Sequence, residues 1–594
     1  MSTHEARLAA LREQLKRQDL SGFVVPICDE HMSEYIGSYA QRLEWLTGFG
    51  GSAGTAVVLS DKAAIFVDGR YTIQVRDQVD GRLFEYVGTA SQSVADWLGK
   101  NATEGNRIGF DAWLHTRDWV KAATRAIAKA GAELVAVEAS PLDAVWLDQP
   151  ERPAALMVPH PLEYAGRESA VKRADIATWL QDEGLDAAVI TALDSVAWLF
   201  NVRGGDIEHT PVALAYSVVH KDGTADLYVA SDKVNDDLRA HLGNQVALHD
   251  YAAFADGLDA LAGKAVAVDP ERAVAAIFAR LEAAGANISA RRDPGVLPRA
   301  TKNPTEIAGH RAAQARDGAA LSNFLHWLSV AAPQGGETEL SAAAKLLAFR
   351  QASGKLIDTS FDTISGASSN GAICHYRVNE ETNLPIVMDS LYLVDSGGQY
   401  LDGTTDVTRT IAIGTPTDEM KRRFTQVLKG HIALATIRFP KGTTGGQLDA
   451  LARQFLWADG VDYAHGTGHG VGSFLAVHEG PQRIAAFGGH GEPLRPGMIC
   501  SNEPGYYKAG EYGIRIENLV LVETLDLPGA EHEVLGFETL TSAPIDRNCI
   551  DPALLSAAEL AWLNVYHAKV LEIVAPQLEG DARAWLDTAC APIA

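Results

Sequence analysis

Cysteine is scarce in this 594-residue sequence: five residues, at positions 28, 374, 500, 549 and 590, odd in number and without CxxC spacing. That excludes a disulfide framework and a zinc ribbon as the organising chemistry. No apolar run is long enough to span a bilayer. The opening stretch MSTHEARLAALREQLKRQ is a charged amphipathic helix without the apolar core of a secretion signal, so a cytoplasmic location is expected. Basic residues are in deficit. With 51 Lys and Arg against 76 Asp and Glu the formal charge is −25, which argues against nucleic acid or an anionic membrane as partner.

What is present is a long, ordinary globular composition, 47% hydrophobic, too large for one core and suggesting two to four domains. EARLAALREQLKRQDL followed by SGFVVP reads as helix then strand, and ESAVKRADIATWLQDEG followed by LDAAVIT repeats the pattern. Each copy continues to a tryptophan in similar surroundings (Trp45, Trp198) and then to a turn and strand, SDKAAIFVDGRY and HKDGTADLYVAS. We read this as a duplicated α/β domain. Proline-rich junctions are expected at 148–164 and 293–306, dividing the chain into 1–155, 156–303 and a part from 304 onward. After the second junction Thr305 is placed to cap a helix carrying Ile307, Leu321, Phe324 and Leu328. Helices around 338–352, 418–437 and 445–458, with strands clustered at 388–413 and 498–522, predict an α+β domain on an antiparallel sheet.

The chemistry concentrates in that last domain. LVDSGGQYLDGTTDVTRT places Asp395 and Asp406 on neighbouring apolar strands, while Gly-Gly and Asp-Gly pairs favour a hairpin and put Asp402 in its turn. Two carboxylates so close repel unless a cation lies between them; on this stretch alone, a shared metal and solvation at the strand ends both account for the pattern. HGTGHGVGSFLAVHEGP crowds His465, His469 and His478 among glycines, and no GK[ST] follows to make them a phosphate cradle. In CSNEPGYYKAGEYGIRIENLVLV, Glu503 follows a strand-like run and Glu517 sits in an apolar strand, where Arg515 offers a purely structural ion pair as the alternative. Together, Asp395, Asp406, His469, Glu503 and Glu517 form an oxygen-dominated set suited to Mn(II), Co(II), Fe(II) or Mg(II) rather than a thiolate zinc cage. Four carboxylates match two divalent ions held about 3.5–4 Å apart with a hydroxide between them.

These strings, with HY at 375–376, resemble the pita-bread metallopeptidases of family M24, and among them the three-domain Xaa-Pro aminopeptidases. The resemblance covers the duplicated N-terminal half and the tail at 540–594. It implies α/β duplicated creatinase-type domains followed by an α+β pita-bread catalytic domain with a curved antiparallel sheet. It further implies that Asp395 and Asp406 bind one ion, His469 and Glu503 complete the other, and Asp406 and Glu517 bridge two Mn(II) ions. His375, His465 and His478 match histidines around the substrate, and Arg515 an arginine beside the ligands. The implied reaction is hydrolysis of an N-terminal X-Pro bond by a bridging hydroxide, with Glu503 as proton carrier and His478 and His375 as the other catalytic residues. A homodimer acting on peptides with proline second is the implied assembly and partner. A prolidase restricted to X-Pro dipeptides is the nearest rival. Methionine aminopeptidase, metal-free creatinase-type hydrolysis and a non-catalytic binding module fit less well, because the long N-terminal half and all five ligand positions are retained.

Overall fold

The short strands Gly22–Pro26, Thr55–Leu59 and Ala63–Val67 are apolar along nearly their whole length, the pattern of strands covered on both faces. In the computed structural model, which describes residues 3–486 and 491–594, they form the middle of a six-stranded sheet. Its order is Glu85–Gly88, Ala63–Val67, Thr55–Leu59, Gly22–Pro26, Arg107–Phe110, Glu133–Ala136; the three central strands run antiparallel and the outer ones pair parallel. A second sheet repeats the order and the directions with Val246–His249, Ala225–Val229, Ala215–His220, Ala187–Ile190, Ala265–Val268 and Asn287–Ala290. The two tryptophans mark equivalent helices, Arg42–Thr47 and Leu193–Phe200. The α/β duplication read from the sequence is present. The N-terminal helix runs Thr3–Arg17 and buries Leu8, Leu11 and Leu15; the first two residues of the predicted helix lie outside the described residues.

Contacts group the chain into two compact units, one of Met1–Leu162 with Arg167–Val296, the other of Glu163–Gly166 with Leu297–Ala594. Within the first, a buried polar knot joins the two sheets. Glu30 accepts from Tyr251 (2.7 Å) and Arg152 (2.5 Å), and the His31 ring lies 2.8 Å from both the Thr191 carbonyl and the Tyr251 hydroxyl.

In the second unit the helix Pro304–Ala331 buries Leu321, Phe324 and Leu328 as expected and Ile307 partly. Its cap is not Thr305. Pro304 fixes the first helical φ and has no N–H to satisfy, so the cap falls two residues earlier than expected, at Asn303. Asn303 accepts from the backbone N–H of Thr305 and Glu306, and Glu306 accepts from Asn303 N–H in return. The helices Glu339–Gln351, Asp418–Thr436 and Gly445–Trp457 lie where the sequence placed them. The hairpin Ser390–Ser396/Val407–Ile413 also forms, joined by Ile364–Ala367 in a three-stranded antiparallel sheet. A second antiparallel sheet runs Phe439–Pro440, Val534–Thr539, Asn518–Leu525, Ile499–Asn502, Gly468–Gly470, Glu479–Ile484. These curled antiparallel sheets with their helices are the pita-bread arrangement. At the C-terminus Trp585, on the helix Gly580–Ala589, packs against the Leu321–Phe324 cluster. Among the described residues no helix is long and apolar enough to cross a membrane.

Candidate metal centre

Register brings the two aspartates together. Asp395 pairs across the hairpin with Thr408, and Asp406 lies two residues before Thr408. With a side-chain period of two, all three share one face. The second sheet supplies the rest: His469 from Gly468–Gly470, Glu503 just past Ile499–Asn502, and Glu517 just before Asn518–Leu525. Gly468 is required by this approach, because a Cβ there would stand 2.0 Å from the Ser501 carbonyl oxygen.

Ligand atoms of Asp406, His469 and Glu517 all lie within 4.8 Å of one another. His469 Nε2 is 3.5 Å from Asp406 Oδ2 and 3.5 Å from Glu503 Oε1. Asp395 accepts 2.6 Å from Arg515 Nη2 through Oδ2, while its buried Oδ1 has no protein donor. The electrostatics are those of a site short of positive charge. Burial, then the neighbouring Asp395 and Glu503, push the Asp406 carboxyl up to about 6, against the pull of His469. Burial and the Asp406, Asp395 and Glu503 carboxylates drive Glu517 well above the ordinary carboxylate range. Burial opposes a charge on His469, but Asp406 and Glu503 outweigh it and raise the imidazole to about 9. Crowded carboxylates, an orphaned oxygen and one imidazole fit a pair of divalent cations with oxygen preference.

Around the set runs a layer of donors, of which the sequence pointed to Arg515 but not to Thr408 or Ser501. Thr408 donates to Glu517 Oε2 (2.7 Å) and accepts from Arg515 Nε (3.1 Å). Ser501 accepts from His469 N–H (2.9 Å) and donates to Glu503 Oε1 (3.1 Å). Arg515 Nη1 donates to the Tyr507 hydroxyl at 2.7 Å. Thr408 and Ser501 each stand two residues from a candidate ligand, the one signal that could have flagged them.

The remaining histidines differ in their surroundings. His465 Nδ1 is 2.7 Å from the Gly466 carbonyl and Nε2 is 2.8 Å from the Tyr507 hydroxyl. A carbonyl can only accept, so Nδ1 carries the proton and Nε2 accepts from Tyr507. His478 is half-buried and meets the His469 ring edge-on, centroids 4.3 Å apart. His375 lies in the turn after Ser368–Ala372, next to Cys374, whose sulfur is 3.8 Å from the Tyr507 oxygen.

Comparison with known proteins matches the same segments. The model of metallopeptidase family M24 fits residues 308–524, that of its C-terminal region 533–593, and two creatinase/prolidase N-terminal domain models fit 7–145 and 148–306. A probable Xaa-Pro aminopeptidase P from Laccaria bicolor is 42% identical over 99% of this chain and 93% of its own length. Aminopeptidase P2 of Arabidopsis thaliana is 39% identical over 97% of this chain and 86% of its own. The crystal structure of X-prolyl aminopeptidase from Caenorhabditis elegans, described as a cytosolic enzyme with a di-nuclear active site, superposes with TM-score 0.95 and 34% identity over 100% of both chains.

Proposed function

The chain belongs to the aminopeptidase P group of metallopeptidase family M24, and from that premise we propose that it releases the first residue of peptides with proline second. The observation that carries this is the convergence of Asp406, His469 and Glu517 within 4.8 Å, with Asp395 and Glu503 beside them. Asp395, Asp406, His469, Glu503 and Glu517 would together hold the two ions. Two divalent ions held there supply a water acidified to hydroxide near neutral pH and polarise the scissile carbonyl.

The chain's own residues do the rest. Arg515 holds Asp395 in place through the bond from Nη2 to Oδ2. Glu503, tethered by Ser501, takes the proton of the attacking water and delivers it to the proline nitrogen. That transfer matters because the scissile bond is a tertiary amide, whose nitrogen leaves readily only when protonated. His478 and His375 donate to the substrate carbonyls, and His465, locked by Tyr507, shapes the wall beside them. Mn(II) as the resident ion, a homodimer and a cytoplasmic location complete the reading, together with domains at 1–155, 156–303 and 304–539 and an extension at 540–594. The ligand chemistry supports the first of these, and the cytosolic relative the location.

The test is hydrolysis of an Arg-Pro-Pro peptide by chelator-stripped protein, with and without Mn(II), beside Asp406→Asn. Metal-restored release of arginine alone, absent in the variant, is the expected result. Cleavage confined to X-Pro dipeptides would make the protein a prolidase, and no cleavage under any metal would overturn a peptidase reading.

A further inference from the structure

Glu339 is the first residue of the helix Glu339–Gln351 and is completely buried. A buried carboxylate is costly unless its oxygens are satisfied, and here four donors meet it. Oε1 accepts from Ala367 N–H at 2.7 Å; Oε2 accepts from Leu384 N–H at 2.8 Å, the Tyr376 hydroxyl at 2.9 Å and Asn370 Nδ2 at 3.1 Å. Its main chain adds two more bonds, Glu339 N–H to the Leu384 carbonyl at 3.1 Å and the Ser365 hydroxyl to the Glu339 carbonyl at 2.7 Å. One side chain thus grips both ends and two interior points of the segment 367–384, which has little regular structure of its own.

The other side of that segment is clamped by backbone contact. Gly371 lies so close to Gly513 that a Cβ on Gly513 would stand 1.7 Å from the Gly371 carbonyl oxygen. Gly513 belongs to the strand Tyr512–Arg515, which ends in the arginine bound to Asp395. Cys374 and His375 are therefore carried on a loop fixed between the Glu339 carboxylate and the strand that braces the metal ligands.

We propose that Glu339 is a positioning residue for the reaction: by gathering Ala367, Asn370, Tyr376 and Leu384 it holds His375 at the substrate. The proposal rests on the peptidase reading above. Glutamine cannot replace the carboxylate, because its NH2 must face at least one of four donors. A displaced loop of this kind costs up to about 100-fold in rate for a misplacement near 1 Å.

Glu339→Gln, the milder Tyr376→Phe, His375→Ala and the Glu339→Gln/His375→Ala double variant would be compared on the Mn(II)-loaded full chain. Two readouts are needed: hydrogen–deuterium exchange across 364–386, and kcat and KM on Arg-Pro-Pro. The expected result is faster exchange in that segment for Glu339→Gln at full metal content. With it comes a loss of kcat/KM of ~10- to 100-fold, a smaller loss of the same sign for Tyr376→Phe, and little further loss in the double variant beyond His375→Ala. Unchanged exchange, full activity despite a loosened segment, or a Glu339→Gln loss that persists undiminished without His375 would overturn the proposal. A wild-type chain that cleaves nothing would sink the peptidase reading instead, and the exchange result would still decide whether Glu339 anchors the loop.

Discussion

The Arg515 side chain makes three hydrogen bonds in three directions: Nη2 to Asp395, Nε to Thr408 and Nη1 to Tyr507. Through Thr408 it also reaches Glu517, and through Tyr507 it reaches His465, whose tautomer the Gly466 carbonyl fixes. A lysine ammonium is a point charge and cannot span that fork. Arg515→Lys is therefore expected to weaken metal binding by about 10–100-fold, the usual range for losing an orienting partner of a ligand. Titration of the stripped protein against a competing chelator measures it; an unaltered affinity would show that the ligands hold their geometry without the arginine. At this scale the sequence was readable where residues violate their surroundings. A carboxylate in an apolar run announces itself, as Asp395 within Ser390–Ser396 and Glu517 between Tyr512–Arg515 and Asn518–Leu525 do. A buried threonine or serine beside it does not, because short hydroxyls are unremarkable in strands, and so Thr408 and Ser501 emerged only with the fold.

Between elements, the C-terminal helix Ala557–Val574 is tied to the catalytic sheet by buried polar groups. Tyr566 donates to the Ala543 carbonyl at 2.7 Å, and Arg409 Nη2 donates to the Tyr566 oxygen at 2.9 Å. His567 Nε2 accepts from Ile545 N–H at 3.1 Å. Burial, then the nearby Arg409 and Arg547, lower the His567 pKa from 6.5 to about 4. Between those values the unfolded chain binds a proton that the folded chain refuses, so this histidine's contribution to stability is lost as pH falls from 6.5 toward 4, by ~1.4 kcal/mol per pH unit. His567→Gln keeps an acceptor for Ile545 and cannot titrate. Urea unfolding at pH 7.5, 6 and 5 is expected to give a shallower acid loss for the variant, and parallel curves would rule the effect out. Elements with a local signature were legible in the sequence, the capped helices above all, although Pro304 moved one cap from Thr305 to Asn303. The strand Glu479–Ile484 was not, because EGPQRI lacks alternation. Its Glu479 is buried for a distant reason, ion pairs with Arg299 (3.1 Å) and Lys302 (2.5 Å).

The whole chain carries separate cores. Leu8 to Trp146 and Ala187 to Leu281 supply the clusters of the first compact unit, while the clusters of the second are drawn from Ala300 onward. All five candidate ligands belong to the second unit. The duplication was visible from repeated landmarks, but the union of the two copies into one unit was not, because residues that join them (Glu30, His31, Tyr251) are polar and far apart in sequence. A ligand that binds only the folded form of one unit raises that unit's stability by mass action, by about 2.7 kcal/mol at one hundred times Kd. Calorimetry of the stripped protein is thus expected to resolve two transitions, since multidomain chains depart from two-state unfolding. Mn(II) should move only one of them upward, and Asp406→Asn should abolish that movement. Limited proteolysis during the melt would identify the shifted transition as the unit beginning at Leu297. If both transitions rose together with metal, the two units would share their folding free energy, and the N-terminal duplication would have to be treated as part of the catalytic body's stability.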